Sequence, residues 1–424
     1  MSAVMRVFNS PMTMLGSRLS VAALGLISAP LIAHALGPSG RGETASALAA
    51  MYLVPIVLAF GMPFEVRRRV LADGSMGAVR TARRLALLTV VPAGLLAWLA
   101  VSTLFAGFDT GAAVAVVVAL ACTPLMVCWM IDIGVVGAQR RFGAVALLQA
   151  TQPIVYVGGI LLLALMDAMS VAGVIWANVI GSAATALLGA MLNRTHRAEP
   201  VPWKPLLRGS STFYGAQASD AAYQRLDQVL MLPLIGSHEA GLYSVAVTIG
   251  TLPVFLAHAV AAPVFADISH SSGRARVRAT GEAIRSAFVV GLASAIFLAV
   301  VSPWGVPLLF GAAFTDALPA VMVAILGSLF VVVAVSAGEV LSAQNLGMRL
   351  TIAQGSGLVT CLVLLFSFGP IFGANAAAIA NASGVVIALT VMLLSIRPPV
   401  RTIVPRPSDA LLVVRRLTGR GGTM

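Results

Sequence analysis

Twelve apolar stretches of about twenty residues each follow one another along this chain with little between them. No other feature constrains its fold as much. They fall near residues 12–36, 44–64, 85–106, 111–136, 143–166 and 170–192, then near 210–235, 242–265, 286–310, 317–341, 350–370 and 373–396. Backbone groups in hydrocarbon must be satisfied inside their own segment or in a closed barrel, and the alternation of a barrel strand is absent. Each stretch therefore reads as a helix. The charged content of 10% agrees, being far below the roughly 25% of a soluble domain. The expected fold class is all-α integral membrane, with about 12 transmembrane helices.

The net charge of +12 does not sit on one globular face, so a nucleic-acid partner is not expected. The charges lie in short bursts between the apolar runs. Arg67, Arg68, Arg69, Arg80, Arg83 and Arg84 follow the second run. Arg194, Arg197, Lys204 and Arg208 follow the sixth, and Arg274, Arg276, Arg278 and Arg285 the eighth. The other set of loops carries only Arg41, against Glu43, Asp109, Asp167, Glu239 and Asp316. By the positive-inside rule both termini face the cytoplasm. Arg6, the apolar stretch after it and Ala33-His34-Ala35 resemble a cleavable secretory signal, but Arg18 inside the stretch speaks for a retained helix. The three cysteines, Cys122, Cys128 and Cys361, all lie in apolar runs without metal-site spacing.

The two halves read as repeats offset by roughly 200 residues. Leu36-Gly37-Pro38-Ser39 through Gly42 and Ala47 matches Ile235-Gly236-Ser237 through Gly241 and Ala246. Leu104-Phe105 with Phe108-Asp109 echoes Leu309-Phe310 with Phe314-Thr315-Asp316. Six helices separate equivalent points, so the repeats share one topology, two six-helix parallel-topology lobes around a central cleft. The expected organisation is an N-terminal lobe over 1–193, a cytoplasmic linker at 194–209, a C-terminal lobe over 210–396 and a basic tail at 397–424.

Polar groups inside spans cost roughly 2.5–3.5 kcal/mol when charged and default to functional candidates. The seventh run carries Gln217, Asp220, Gln224, Asp227 and Gln228 on one face, flanked by Tyr214 and Arg225. That face suits a helix lining water, with a buried hydrogen-bond network as the alternative. Arg18 either snorkels to the headgroups or offers a guanidinium for bidentate phosphate capture. Asp227, His258 and Asp132 are candidate ion-coupling groups. Asp132 and Glu339 lie toward the cytoplasmic ends, where salt bridging also accounts for them. No Walker signature follows the Gly37–Gly42 turn, which excludes an ATP-driven pump. No metal or cofactor constellation is present in the sequence, and no catalytic triad.

The turn Leu36-Gly37-Pro38-Ser39-Gly40-Arg41-Gly42-Glu43 resembles a signature of polysaccharide-export flippases. Leu226-Asp227-Gln228 with Gly236 and Gly241-Leu242-Tyr243-Ser244-Val245-Ala246 is similar to that family as well, as is Leu308-Leu309-Phe310-Gly311 with Phe314. On these motifs the chain resembles O-antigen-type flippases of the multidrug/oligosaccharidyl-lipid/polysaccharide exporter superfamily. The resemblance implies transfer of a polyprenyl-diphosphate-linked oligosaccharide from the cytoplasmic to the periplasmic leaflet of a bacterial inner membrane by alternating access. It also implies basic cleft residues on the diphosphate, for which Arg18 and Arg225 are the matching positions, pairing with Asp220 or Asp227 in the empty state. A polysaccharide polymerase or chain-length machinery would be the protein partners. A cation-coupled multidrug antiporter of the same superfamily is the nearest alternative. A membrane glycan polymerase or ligase, an enzyme, is a further one, although the outward loops are short for it.

Overall fold

The structure, a computed structural model, describes residues 11–194, 198–257, 268, 271–344 and 346–403, without the side chains of 11–23, 216 and 400. Helix α1 (Pro11–Leu58) is followed by α2 (Met62–Asp73), α3 (Met76–Leu88), α4 (Val90–Thr103) and α5 (Thr110–Ala121). Next come α6 (Thr123–Ala138), α7 (Phe142–Leu165), α8 (Val171–Leu192) and α9 (Trp203–Gly250). The chain then forms α10 (Gly273–Phe310), a 3₁₀ turn (Ala312–Ala317), α11 (Leu318–Ala343), α12 (Gly347–Ile396) and α13 (Val400–Ile403). There is no strand among the described residues.

Among the described residues, seven helices are long and apolar enough to cross a membrane, or nine when each bent pair is taken as one span. Three of the nine are too long for a single crossing. Helices α1 and α9 have 48 residues and α12 has 50, about 72–75 Å at 1.5 Å per residue, more than twice the hydrocarbon thickness. Each is interrupted by one glycine with a non-helical backbone: Gly37 (φ 63°), Gly236 (φ 83°) and Gly373 (φ 56°). Positive φ at these torsions is open to glycine and strained for residues with a Cβ. Two runs on each broken helix bring the crossings to twelve, in an all-α membrane fold.

The chain divides into two compact units, Met1–Gly241 and Leu242–Met424. In the first unit, Ala47, Ala50, Met51, Ala97, Val116 and Ile175 form a buried cluster. Small side chains allow these helices to approach closely, which matters in lipid because burial from water does not drive helices together. Val229 is buried in the same cluster and Leu232 packs against it. The seventh run therefore shares its core with the first unit, which reaches Gly241. Asp109 and Ser170 start α5 and α8 as N-caps, accepting from Ala112 N at 2.7 Å and Gly173 N at 3.0 Å. The acidic residue at 109 thus has a capping role.

The repeats carry equivalent local structure in each unit. Phe105 and Phe108 pack in a tilted pair, and so do Phe310 and Phe314. Trp98 and Trp304, each a few residues before the C-terminal end of its helix, are 65% and 70% exposed, as expected of interfacial aromatics. At the opposite end, a strap follows the sixth run and folds over the start of α3. Arg80 and Thr81 donate to the carbonyls of Ala198 and Val201 at 2.8 and 2.9 Å, and a Cβ on Gly77 would collide with Glu199 O. In the second unit the strap after α12 crosses the start of α10. There Arg285 donates to Thr402 O, and a Cβ on Gly281 would meet the same carbonyl.

Candidate functional site

The polar face of the seventh run lies on the first arm of α9, ahead of Gly236, and meets the second arm of α1 and helix α2 along a seam inside the first unit. At the end near Gly241 the two segments touch backbone to backbone. A Cβ on Gly42 would meet Ser237 O, and one on Gly241 would meet Pro38 O. These positions are equivalent in the repeat, so the contact is reciprocal: each turn supplies one glycine and one carbonyl. Further along, Ser46 Oγ donates to Gln228 O at 2.9 Å.

The middle of the seam holds the charged groups. The Arg225 guanidinium lies over the Tyr52 ring, 5.4 Å from its centroid, and donates to Gln228 Oε1 at 3.1 Å. These two contacts replace the expected pairing of Arg225 with Asp220 or Asp227. Gln224 Nε2 donates to Asp220 Oδ2 at 2.7 Å. Asp227 is buried, and its Oδ1 accepts from Gln228 N at 2.7 Å. Gln217 is half-buried, and its shielded Oε1 meets no donor among the described residues.

Toward the other end the seam becomes aromatic. Phe60 packs on Tyr214 with centroids 4.7 Å apart and Phe64 stacks on Phe213 at 5.9 Å. Gly61, at φ 74°, has no room for a Cβ beneath Ser210 O. Glu65 is fully buried against Gly209 and accepts from Arg68 and Arg69 at 2.7 Å each, while Arg69 also reaches Pro205 O at 2.9 Å. The carboxylate has two cations and satisfied oxygens, the condition under which a buried charge is tolerated.

The structure thus gathers Gln217, Asp220, Gln224, Arg225, Asp227 and Gln228 on one seam and adds Tyr52 and Ser46, which sequence reasoning missed. Tyr52 had one signal, a lone tyrosine on an apolar run. Asp132 lies elsewhere. It is fully buried and paired with Arg83 at 2.5 Å, with Asn193 Nδ2 donating to the same oxygen at 3.0 Å. Arg83 also donates to Asn193 O at 3.0 Å. Asp132 thus has a fixed cationic partner, the salt-bridged alternative. The Arg18 side chain and His258 lie outside the described residues. On the eighth run, Thr248 and Thr251 turn back onto the carbonyls of Ser244 and Thr248 in their own helix.

Residues 12–269 match the model of the family described as polysaccharide biosynthesis protein. The chain belongs to that family. No curated protein matches it. Among solved structures, the family member is similar to the lipid II flippase MurJ in an inward closed conformation, with TM-score 0.77 at 15% identity over 97% of this chain and 94% of that one. It is similar to an inward-facing multidrug resistance MATE family transporter of the MOP superfamily, with TM-score 0.75 at 15% identity over 95% and 99%. A MOP superfamily transporter from Pyrococcus furiosus matches with TM-score 0.64 at 14% identity over 96% and 95%. The chain therefore has the MOP transporter fold, and these neighbours are transporters and flippases rather than enzymes.

Proposed function

We propose that this protein is a flippase that carries a polyprenyl-diphosphate-linked oligosaccharide from the cytoplasmic to the outer leaflet for surface polysaccharide assembly. The observation that carries the reading is the α9 seam, a band of charge and amide in a chain with 10% charged residues. Groups this costly in a bilayer are retained where they meet water or a polar cargo. Membership of a polysaccharide biosynthesis family supports a glycan as that cargo, and the likeness to a lipid II flippase supports a lipid-linked one. In this reading the protein alternates its access between the two leaflets, the lipid tail stays in the bilayer, and the headgroup passes along the polar face of the seventh run. Both termini lie in the cytoplasm, and the membrane is the bacterial inner membrane. A lipid-linked glycan is the transported partner.

The test is surface-glycan display in a deletion strain complemented with the wild type or with Arg225→Ala. The wild type should restore display, and Arg225→Ala at equal membrane abundance should reduce it at least tenfold, the effect of about 1.4 kcal/mol. Normal display in the deletion strain, with increased drug susceptibility instead, would transfer the assignment to a multidrug antiporter. The MATE likeness makes that the second reading.

A further inference from the structure

The middle of the seam lacks the charge of an anion site. Arg225 is the only cation between residues 210 and 235 on α9, and Asp220 and Asp227 stand on the same arm. A diphosphate at the Tyr52 ring would meet one guanidinium with the Asp220 carboxylate close to the same ring, and like charges at short range in a medium of reduced polarity repel strongly. An organic cation fares no better, because it would meet the positive charge of Arg225 on the same ring. The cluster presents instead a flat aromatic ring, held by that guanidinium yet 44% exposed. Close to it stands Asp220, bonded to the exposed Gln224.

A pyranose has matching chemistry. One face is a surface of C–H groups that seats on an aromatic ring, and its rim is a ring of hydroxyls that both donate and accept. Carboxylate, amide and guanidinium together supply acceptors and donors for such a rim. A few placed polar groups around an apolar surface are the usual make-up of a small-molecule subsite.

We infer that Tyr52, Asp220, Gln224 and Arg225 form a subsite for a sugar ring of the transported headgroup, and that the diphosphate is held elsewhere. This rests on the flippase reading. Tyr52 is the platform, Arg225 orients it, and Asp220 and Gln224 bond the hydroxyls.

The test uses the full chain in lipid nanodiscs and two probes: farnesyl diphosphate, and the same lipid bearing one N-acetylglucosamine. The wild type should bind the sugar-bearing form about tenfold more tightly, as one aromatic and hydrogen-bonded contact provides. Tyr52→Leu should erase that preference while leaving the bare diphosphate unchanged, and Tyr52→Phe should keep it. Gln224→Leu, at an exposed position, should reduce the preference without disturbing buried packing. Equal weakening of both probes in both Leu variants, or an unaltered preference, would overturn the subsite. So would Tyr52→Leu weakening only tetraphenylphosphonium, a lipophilic cation. If the wild type binds neither prenyl probe, the flippase reading fails and the subsite with it.

Discussion

The Arg83–Asp132 pair allows an asymmetric prediction. Asp132 has no exposed surface, and the Arg83 side chain keeps 18%. Replacing Arg83 with Met leaves a carboxylate in the interior with only Asn193 to bond it. Removing one partner of a buried pair in this way costs about 3–5 kcal/mol. Asp132→Asn keeps shape and volume, and Arg83 retains the carbonyl of Asn193 at 3.0 Å. Its guanidinium can also lean toward water, so the cost should fall to about 1–3 kcal/mol, the range for an unsatisfied polar group. The double variant removes both charges and should be milder than Arg83→Met alone, because no uncompensated charge remains. The assay is the apparent melting temperature of detergent-purified protein, read by fluorescence-detected size exclusion. The expected order is wild type, then Asp132→Asn, then the double variant close to it, with Arg83→Met lowest. Additive losses, or Asp132→Asn falling below Arg83→Met, would refute the claim that burial of the carboxylate sets the energetics.

Glu65→Gln should free Arg68 and Arg69 and loosen α2 from the start of α9; the expected readout is faster protease cleavage within 62–73 in inside-out vesicles, at unchanged membrane insertion. Gly42→Ala and Gly241→Ala should each lower the yield of monodisperse protein, because overpacking against a carbonyl costs about 1–3 kcal/mol. Gly25→Ala, with nothing within 4 Å of its new Cβ, is the control.

The crossings were legible because hydrocarbon imposes one length and one composition on every spanning helix. The breaks at Gly37 and Gly236 were legible as a repeated turn. The packing of the seventh run was not, since what ties it to the first unit is the burial of Val229 beside residues such as Ala47 and Ala119. No local pattern encodes a contact across so many residues. The same holds for the candidate site. The stripe from Gln217 to Gln228 follows helical periodicity and could be read from one segment. Tyr52 became part of it only through packing, and the pairing of Arg83 with Asp132 joins helices separated by a hairpin. Glu65, next to the arginine cluster after the second run, is fully buried through packing of the same kind.

The reciprocal glycine contact has an evolutionary consequence. Because Gly42 faces the turn of Gly241 and Gly241 faces the turn of Gly42, neither position can drift alone. A side chain acquired at one must be matched by retreat of the backbone carrying the other, so selection acts on 42 and 241 as a single inherited character. A duplicated sequence can diverge freely over its lipid-facing surfaces, where one apolar residue serves as well as another. Its two copies of this turn stay bound to a common history by the contact they share.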